Sequence, residues 1–103
     1  MDVNYRDELA RQAPVQEATK RLEEVLGPSA ARVNAEWERV EDERGNSSYR
    51  LRISDGLDDA TAILGPTELT VPLQLRIRLY HLWGDLLQAR NDRQLRNLSR
   101  GEE

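Results

Sequence analysis

The sequence predicts a single small α+β domain with the order α-β-β-β-α, in which a three-stranded antiparallel sheet packs on a long C-terminal helix and a shorter N-terminal helix. Apolar residues recur with a helical period in two stretches, and they alternate with polar residues between those stretches. With 103 residues, 38% of them hydrophobic, the chain suffices for one core. We expect the domain to span 14–98, after a polar, mobile lead over 1–13 and before a disordered tail over 99–103.

The first helix is predicted to begin at Pro14, because a residue in the first helical turn needs no backbone N–H. The apolar residues that follow fall on one narrow face: Val15, Ala18, Leu22, Val25 and Leu26. Gly27 and Pro28 then end the helix. This helix therefore has one side to bury against a sheet or another helix.

Three strands are predicted next, since the apolar period changes from helical spacing to alternation. The apolar positions of the first two strands are Val33, Ala35 and Trp37, then Tyr49, Leu51 and Ile53. A shorter third strand covers 60–64 and is stopped by Gly65. A hairpin of the first two strands would set Glu36 and Glu38 against Arg50 and Arg52 as opposite-charge pairs.

The last third of the chain predicts a long helix that Thr70 can cap and that runs at least to Ala89 and towards Leu98. Its apolar residues form two neighbouring stripes, the first of Leu73, Ile77, Tyr80, Trp83 and Leu87 and the second of Leu75, Leu79, Leu82 and Leu86. Together they span about 220°, whereas contact with one sheet face needs only about 100°. We therefore expect the first helix or a second copy of the chain to cover the remainder.

The second stripe is the predicted interaction surface. Leu75, Leu79, Leu82 and Leu86 repeat with four-three-four spacing, as in a coiled-coil seam. Arg76 lies inside the apolar arc, where it either extends to the edge or pairs with an acidic group across an interface. These features predict a non-catalytic protein-interaction domain that binds itself as a homodimer or binds another protein. The exposed sheet face is a further candidate surface.

Composition and charge limit the other function classes. The absence of cysteine excludes disulfides, thiol nucleophiles and zinc–thiolate sites, and no cofactor is expected. The first residues lack an apolar run, so we expect no signal or membrane segment and a cytoplasmic location. An RNA- or ribosome-associated module is the alternative, because 14 of 15 basic residues are arginine, Arg50 and Arg52 among them. A net charge of −4 and an arginine bias typical of GC-rich coding both disfavour it.

A third hypothesis is an enzyme or metal site. His81 and Asp85 are four residues apart on one helix face, where a carboxylate could orient a general base. Asp55, Asp58 and Asp59 cluster in one loop and could offer oxygen ligands to a hard cation. A solvated helix face and a tight turn account for both groups more simply, so no catalytic or metal-binding residue is assigned.

Overall fold

A computed structural model describes the backbone of residues 1–101 and the side chains of residues 1–98. The strands and helices in chain order are β1 (Asp2–Tyr5), α1 (Ala13–Leu26), β2 (Asn34–Glu41), β3 (Ser47–Ser54), β4 (Asp59–Leu64), α2 (Pro66–Thr70) and α3 (Pro72–Gly101). Short 3-10 turns at Leu9–Arg11 and Gly27–Arg32 flank α1. The α+β class is confirmed. The predicted disordered tail over 99–103 lies outside the described side chains, and residues 102 and 103 also lie outside the described backbone.

The sheet has four strands instead of the predicted three, in the order β1-β2-β3-β4. The prediction was wrong at the N-terminus, where Asp2–Tyr5, taken as part of a polar lead, pairs parallel to β2. Val3 and Tyr5 pack against the core, and Leu9 beyond them is fully buried. Parallel neighbours need a long crossover connection, and α1 supplies it between β1 and β2.

The predicted hairpin is confirmed in its register. Glu36 faces Arg52 and Glu38 faces Arg50 across the antiparallel β2–β3 pair. Arg50 Nη1 lies 2.8 Å from Glu38 Oε2, as the opposite-charge prediction requires. Arg52 instead pairs with Asp59 at the start of β4, at 2.8 Å. These side chains belong to the sheet face that no helix covers.

Both long helices pack on the other sheet face and enclose the core. Helix α1 contacts β1 and β2 through Thr19, which bonds to Tyr5 and Trp37. Helix α3 lies beside α1 and packs on β4 and β3. The largest fully buried side chains are Trp37, Leu9, Leu22, Leu51, Ile53, Leu64, Leu79, Leu82 and Leu86. Trp37 therefore belongs to the core, and its indole contacts α1.

Thr19 is the polar centre of the contact between α1 and the sheet. Its hydroxyl accepts a hydrogen bond from Trp37 Nε1 at 3.0 Å and another from Tyr5 OH at 3.3 Å. It donates to the carbonyl oxygen of Val15 at 2.9 Å. One buried hydroxyl thus satisfies the indole N–H, which would otherwise be an unpaired donor in the core.

The long last helix is confirmed, with two differences. A separate short helix, α2, precedes it, and Glu68 Oε1 accepts the backbone N–H of Gly65 at 3.1 Å where α2 begins. Thr70 ends α2, and α3 then starts at Pro72 and covers 30 residues. Within residues 1–101, no helix has the length and apolar content needed to cross a bilayer.

Candidate protein-interaction surface on α3

The predicted interaction seam belongs to the core, which corrects the sequence-based assignment. Leu75, Leu79, Leu82 and Leu86 are between 0% and 4% exposed. They pack in one cluster with the inward-facing residues of the sheet and of α1. A helix that packs on a sheet and a neighbouring helix repeats every three or four residues, as a coiled-coil helix does. Spacing alone therefore could not distinguish the two kinds of contact.

The surplus apolar surface of α3 lies on the opposite side of the helix. We call it the outer stripe, and its apolar members are Leu73, Ile77, Tyr80, Leu87, Leu95 and Leu98. Their exposed fractions are 69%, 48%, 48%, 40%, 54% and 66%, respectively. Trp83, which the sequence placed in the same row, is partly buried and packs against the core beside the stripe. Several exposed apolar side chains along one helix face are typical of an interaction surface, whereas single exposed apolar residues are not.

The C-terminal part of α3 extends past the body of the domain. Residues 94–98 are all exposed, so this part of the helix covers no core. The radius of gyration is 15.1 Å and the longest dimension is 51 Å, whereas a compact chain of this length has a radius of gyration of about 13 Å. Leu95 and Leu98 lie on this projection, which carries the outer stripe beyond the sheet.

Two arginines fix α3 to the loop between β3 and β4. Arg90 Nη2 and Nε contact Asp55 Oδ2 at 2.8 and 3.0 Å, and Arg93 Nε contacts Asp58 Oδ2 at 2.9 Å. Asp55 Oδ1 also accepts the backbone N–H groups of Asp58 and Leu57 at 2.8 and 3.0 Å. The hydrogen bond from the Asp58 backbone, together with those from Leu57 and Arg90, holds the pKa of Asp55 below its ordinary value although burial opposes the shift. This loop orients the helix that displays the outer stripe.

The same contacts explain the loop aspartates without a metal ion. Asp55, Asp58 and Asp59 each pair with a different arginine. Among the described residues, no three histidine or acidic side chains are grouped closely enough to hold a metal ion. Turn geometry and charge pairing therefore account for the cluster.

His81 and Asp85 lie on the exposed surface of α3. Among the hydrogen bonds of residues 1–98 there is none between these two side chains, so the geometry does not orient the imidazole as a base. The enzyme hypothesis therefore stays a prediction. His81 is next to Tyr80 in sequence and therefore borders the outer stripe.

Arg76 is exposed at the edge of the outer stripe. Its guanidinium carbon lies 5.8 Å from the centroid of the Tyr80 ring, which is the geometry of a cation–π contact. Within residues 1–98, no carboxylate forms an ion pair with it. The residue also borders a shallow groove between α1 and α3, lined by Arg21, Glu24, Val25, Pro72, Arg76 and Tyr80. This position agrees with the first predicted role of Arg76, in which its side chain extends to the edge of the apolar arc.

The comparisons with known proteins add no family to this description. No protein-family model matches the chain, and no curated protein or solved structure does so either. The interpretation of the outer stripe therefore depends on its own geometry.

Proposed function

We propose that this protein is a non-catalytic protein-interaction domain and that the outer stripe of α3 is its binding surface. The observation that carries the proposal is the position of the stripe on a helix whose opposite side already fills the core. Leu75 and Leu82 are buried, whereas Leu73 and Ile77, two residues away from Leu75, are exposed. The fold of the protomer therefore does not require the stripe to be apolar.

The free energy that burial of the outer stripe would release supports a binding role. Complete burial of a large aliphatic or aromatic side chain is worth about 1.5–3 kcal/mol. The six apolar members of the stripe are on average about half exposed, so each would contribute roughly 1 kcal/mol when a partner covers it. Their sum is of the size that can offset the loss of freedom on association.

The uncovered sheet face is the weaker candidate. Its charged residues pair with one another, as Arg50 does with Glu38 and Arg52 with Asp59. Ile63 is its large exposed apolar side chain, at 51%. Because paired charges and one isolated isoleucine offer little to a partner, the outer stripe is favoured.

The test compares the size of the native complex for three versions of the full-length tagged chain in extract from the source cells. The wild type is compared with the stripe variant Ile77→Glu, and Ile63→Glu is the matched control on the sheet face. Ile77 and Ile63 are 48% and 51% exposed, so the control matches in residue type and exposure. We expect the wild type and the control to elute above the monomer mass and the stripe variant to elute as a monomer. If all three elute at the monomer mass, the proposed function is wrong.

A further inference from the structure

The outer stripe has the period of a two-stranded coiled coil. Starting at Leu73, it repeats at intervals of four and three residues, so that Leu73, Tyr80, Leu87 and Gln94 take d positions and Ile77, Gly84, Asn91 and Leu98 take a positions. The pattern lasts almost four heptads, or about 39 Å at 1.5 Å per residue. Such a stripe fits an α-helix with the same period and comparable length. In the described part of this chain α3 meets that condition, whereas α1 has only 14 residues and buries its apolar face.

We propose that the outer stripe binds the same stripe of a second copy, and that the two α3 helices form a parallel, in-register coiled coil. This inference rests on the proposed function, because it names the partner for the same surface. Three features beyond the period support it: a glycine at the centre of the stripe, an asparagine at an a position, and the placement of the flanking arginines.

Gly84 lies at the centre of the stripe and is exposed. A Cβ added to this residue would have no neighbouring atom within 4 Å, so packing within the protomer does not require glycine. A mid-helix glycine is nevertheless unfavourable for helix formation. In the coiled coil, the layer formed by Gly84 of both copies has no side chains. The large side chain of Tyr80 from the second copy, in the next layer, can pack into that space.

Asn91 indicates the orientation and register of the pair. A single asparagine at an a position fixes register in parallel dimers, because it pairs with the same residue of the other helix. In a parallel pair, Asn91 meets Asn91 of the second copy and the two amides can bond to each other. An antiparallel pair centred on Gly84 would set Asn91 against Ile77, where the amide would be covered without a polar neighbour.

The charges next to the stripe also favour the parallel arrangement. Arg76 and Arg90 occupy g positions, and the stripe itself carries no charged residue between Leu73 and Leu98. Parallel helices pair g positions with e positions, which hold Gln74, His81, Gln88 and Leu95. Antiparallel helices would bring Arg76 close to Arg90 of the second copy. The parallel pair brings no two arginines together, and like charges in contact would be repulsive.

The first experiment is sedimentation equilibrium of the purified full-length chain at protein concentrations from about 1 to about 200 µM. We expect a monomer–dimer equilibrium for the wild type and a dissociation constant at least about 10-fold larger for Ile77→Glu. Ile63→Glu, which matches Ile77→Glu in residue type and exposure, should stay within about twofold of the wild type. Cooperative urea unfolding verifies that each variant keeps the folded domain.

A wild type that stays monomeric over this range overturns the inference. If the complex in extract still depends on the stripe, the proposed function stands and the partner is another protein. If the complex in extract is also absent, both fail. A dimer that Ile77→Glu leaves intact would likewise contradict the inference, since the copies would then associate through another face.

Orientation is tested with single cysteines, because the natural chain has none. Under oxidised glutathione, Asn91→Cys should form a disulfide-linked dimer, since a parallel register places the two residues opposite each other. Asp85→Cys, which points away from the stripe, is the control and should stay unlinked. An antiparallel pair centred on Gly84 would separate the two residues at position 91 by about 21 Å along the axis. The absence of the Asn91→Cys cross-link in a dimeric sample would overturn the parallel register.

Discussion

Replacement of Thr19 by valine tests the hydrogen bonding that ties α1 to the sheet. Valine keeps the shape of threonine and removes the hydroxyl that accepts from Trp37 Nε1 and Tyr5 OH. Trp37 is fully buried, so its indole N–H would find no water, and an unpaired buried donor costs about 1–3 kcal/mol. Tyr5 is only half-buried and its hydroxyl can turn to solvent. We therefore expect Thr19→Val to lower the free energy of unfolding by about 1–3 kcal/mol, nearly all of it from the indole.

Urea unfolding followed by tryptophan fluorescence measures this loss, and the urea dependence should keep its slope because the surface exposed on unfolding is unchanged. In thermal unfolding, each 1 kcal/mol corresponds to a shift in Tm of about 4–8 °C for a domain of this size. Thr19→Ser is the control, since it keeps the hydroxyl and loses one methyl group, worth about 0.8 kcal/mol. A serine variant as unstable as the valine variant, or a valine variant as stable as the wild type, would refute the reasoning.

Three further predictions concern the helix and its attachment. Leu82→Ala should destabilise the protein by about 2–5 kcal/mol because Leu82 is buried in the core. Leu87→Ala, measured by urea unfolding at a concentration where the chain is monomeric, should cost only about 1 kcal/mol because Leu87 is 40% exposed. Asp55→Asn should remove a stabilisation that the wild type has in full above about pH 5 and loses as the pH falls below 3.8, the ordinary pKa of this carboxyl group. A stability difference from the wild type that grows on acidification would contradict this. Gly84→Ala should stabilise the monomer by about 1 kcal/mol and so raise its Tm, since the added Cβ meets no neighbouring atom. A lower Tm in a calorimetric scan would contradict this.

Local sequence patterns predicted the elements that carry long, regular apolar periods. Pro14 and Gly27 bracketed α1 to within one residue. The alternation around Trp37 and Leu51 predicted the hairpin, its register and the ion pair between Glu38 and Arg50. The strand β1 was missed because four residues with two apolar positions carry too little periodicity. Its parallel pairing also depends on β2, some thirty residues away.

The seam predicted from the sequence and the proposed binding surface lie on opposite sides of the same helix. The sequence contained both apolar stripes of α3, and each has a spacing that suits a sheet, a helix or a coiled coil. The choice depends on which stripe the sheet and α1 meet. The ion pairs of Arg90 with Asp55 and of Arg93 with Asp58 are compatible with the observed rotation of the helix.

By itself, the sequence determined the α+β class, the limits of the first helix, the hairpin register and the surplus of apolar surface on the last helix. These properties follow from neighbours along the chain, which share a period of two or of about 3.6 residues. Only the tertiary structure decided that the sheet has a fourth, parallel strand, that Leu75, Leu79, Leu82 and Leu86 are core, and that the stripe around Gly84 faces outward. The physical reason is that burial depends on contacts between distant segments, and a helix with two apolar sides can satisfy its own periodicity with either side inward.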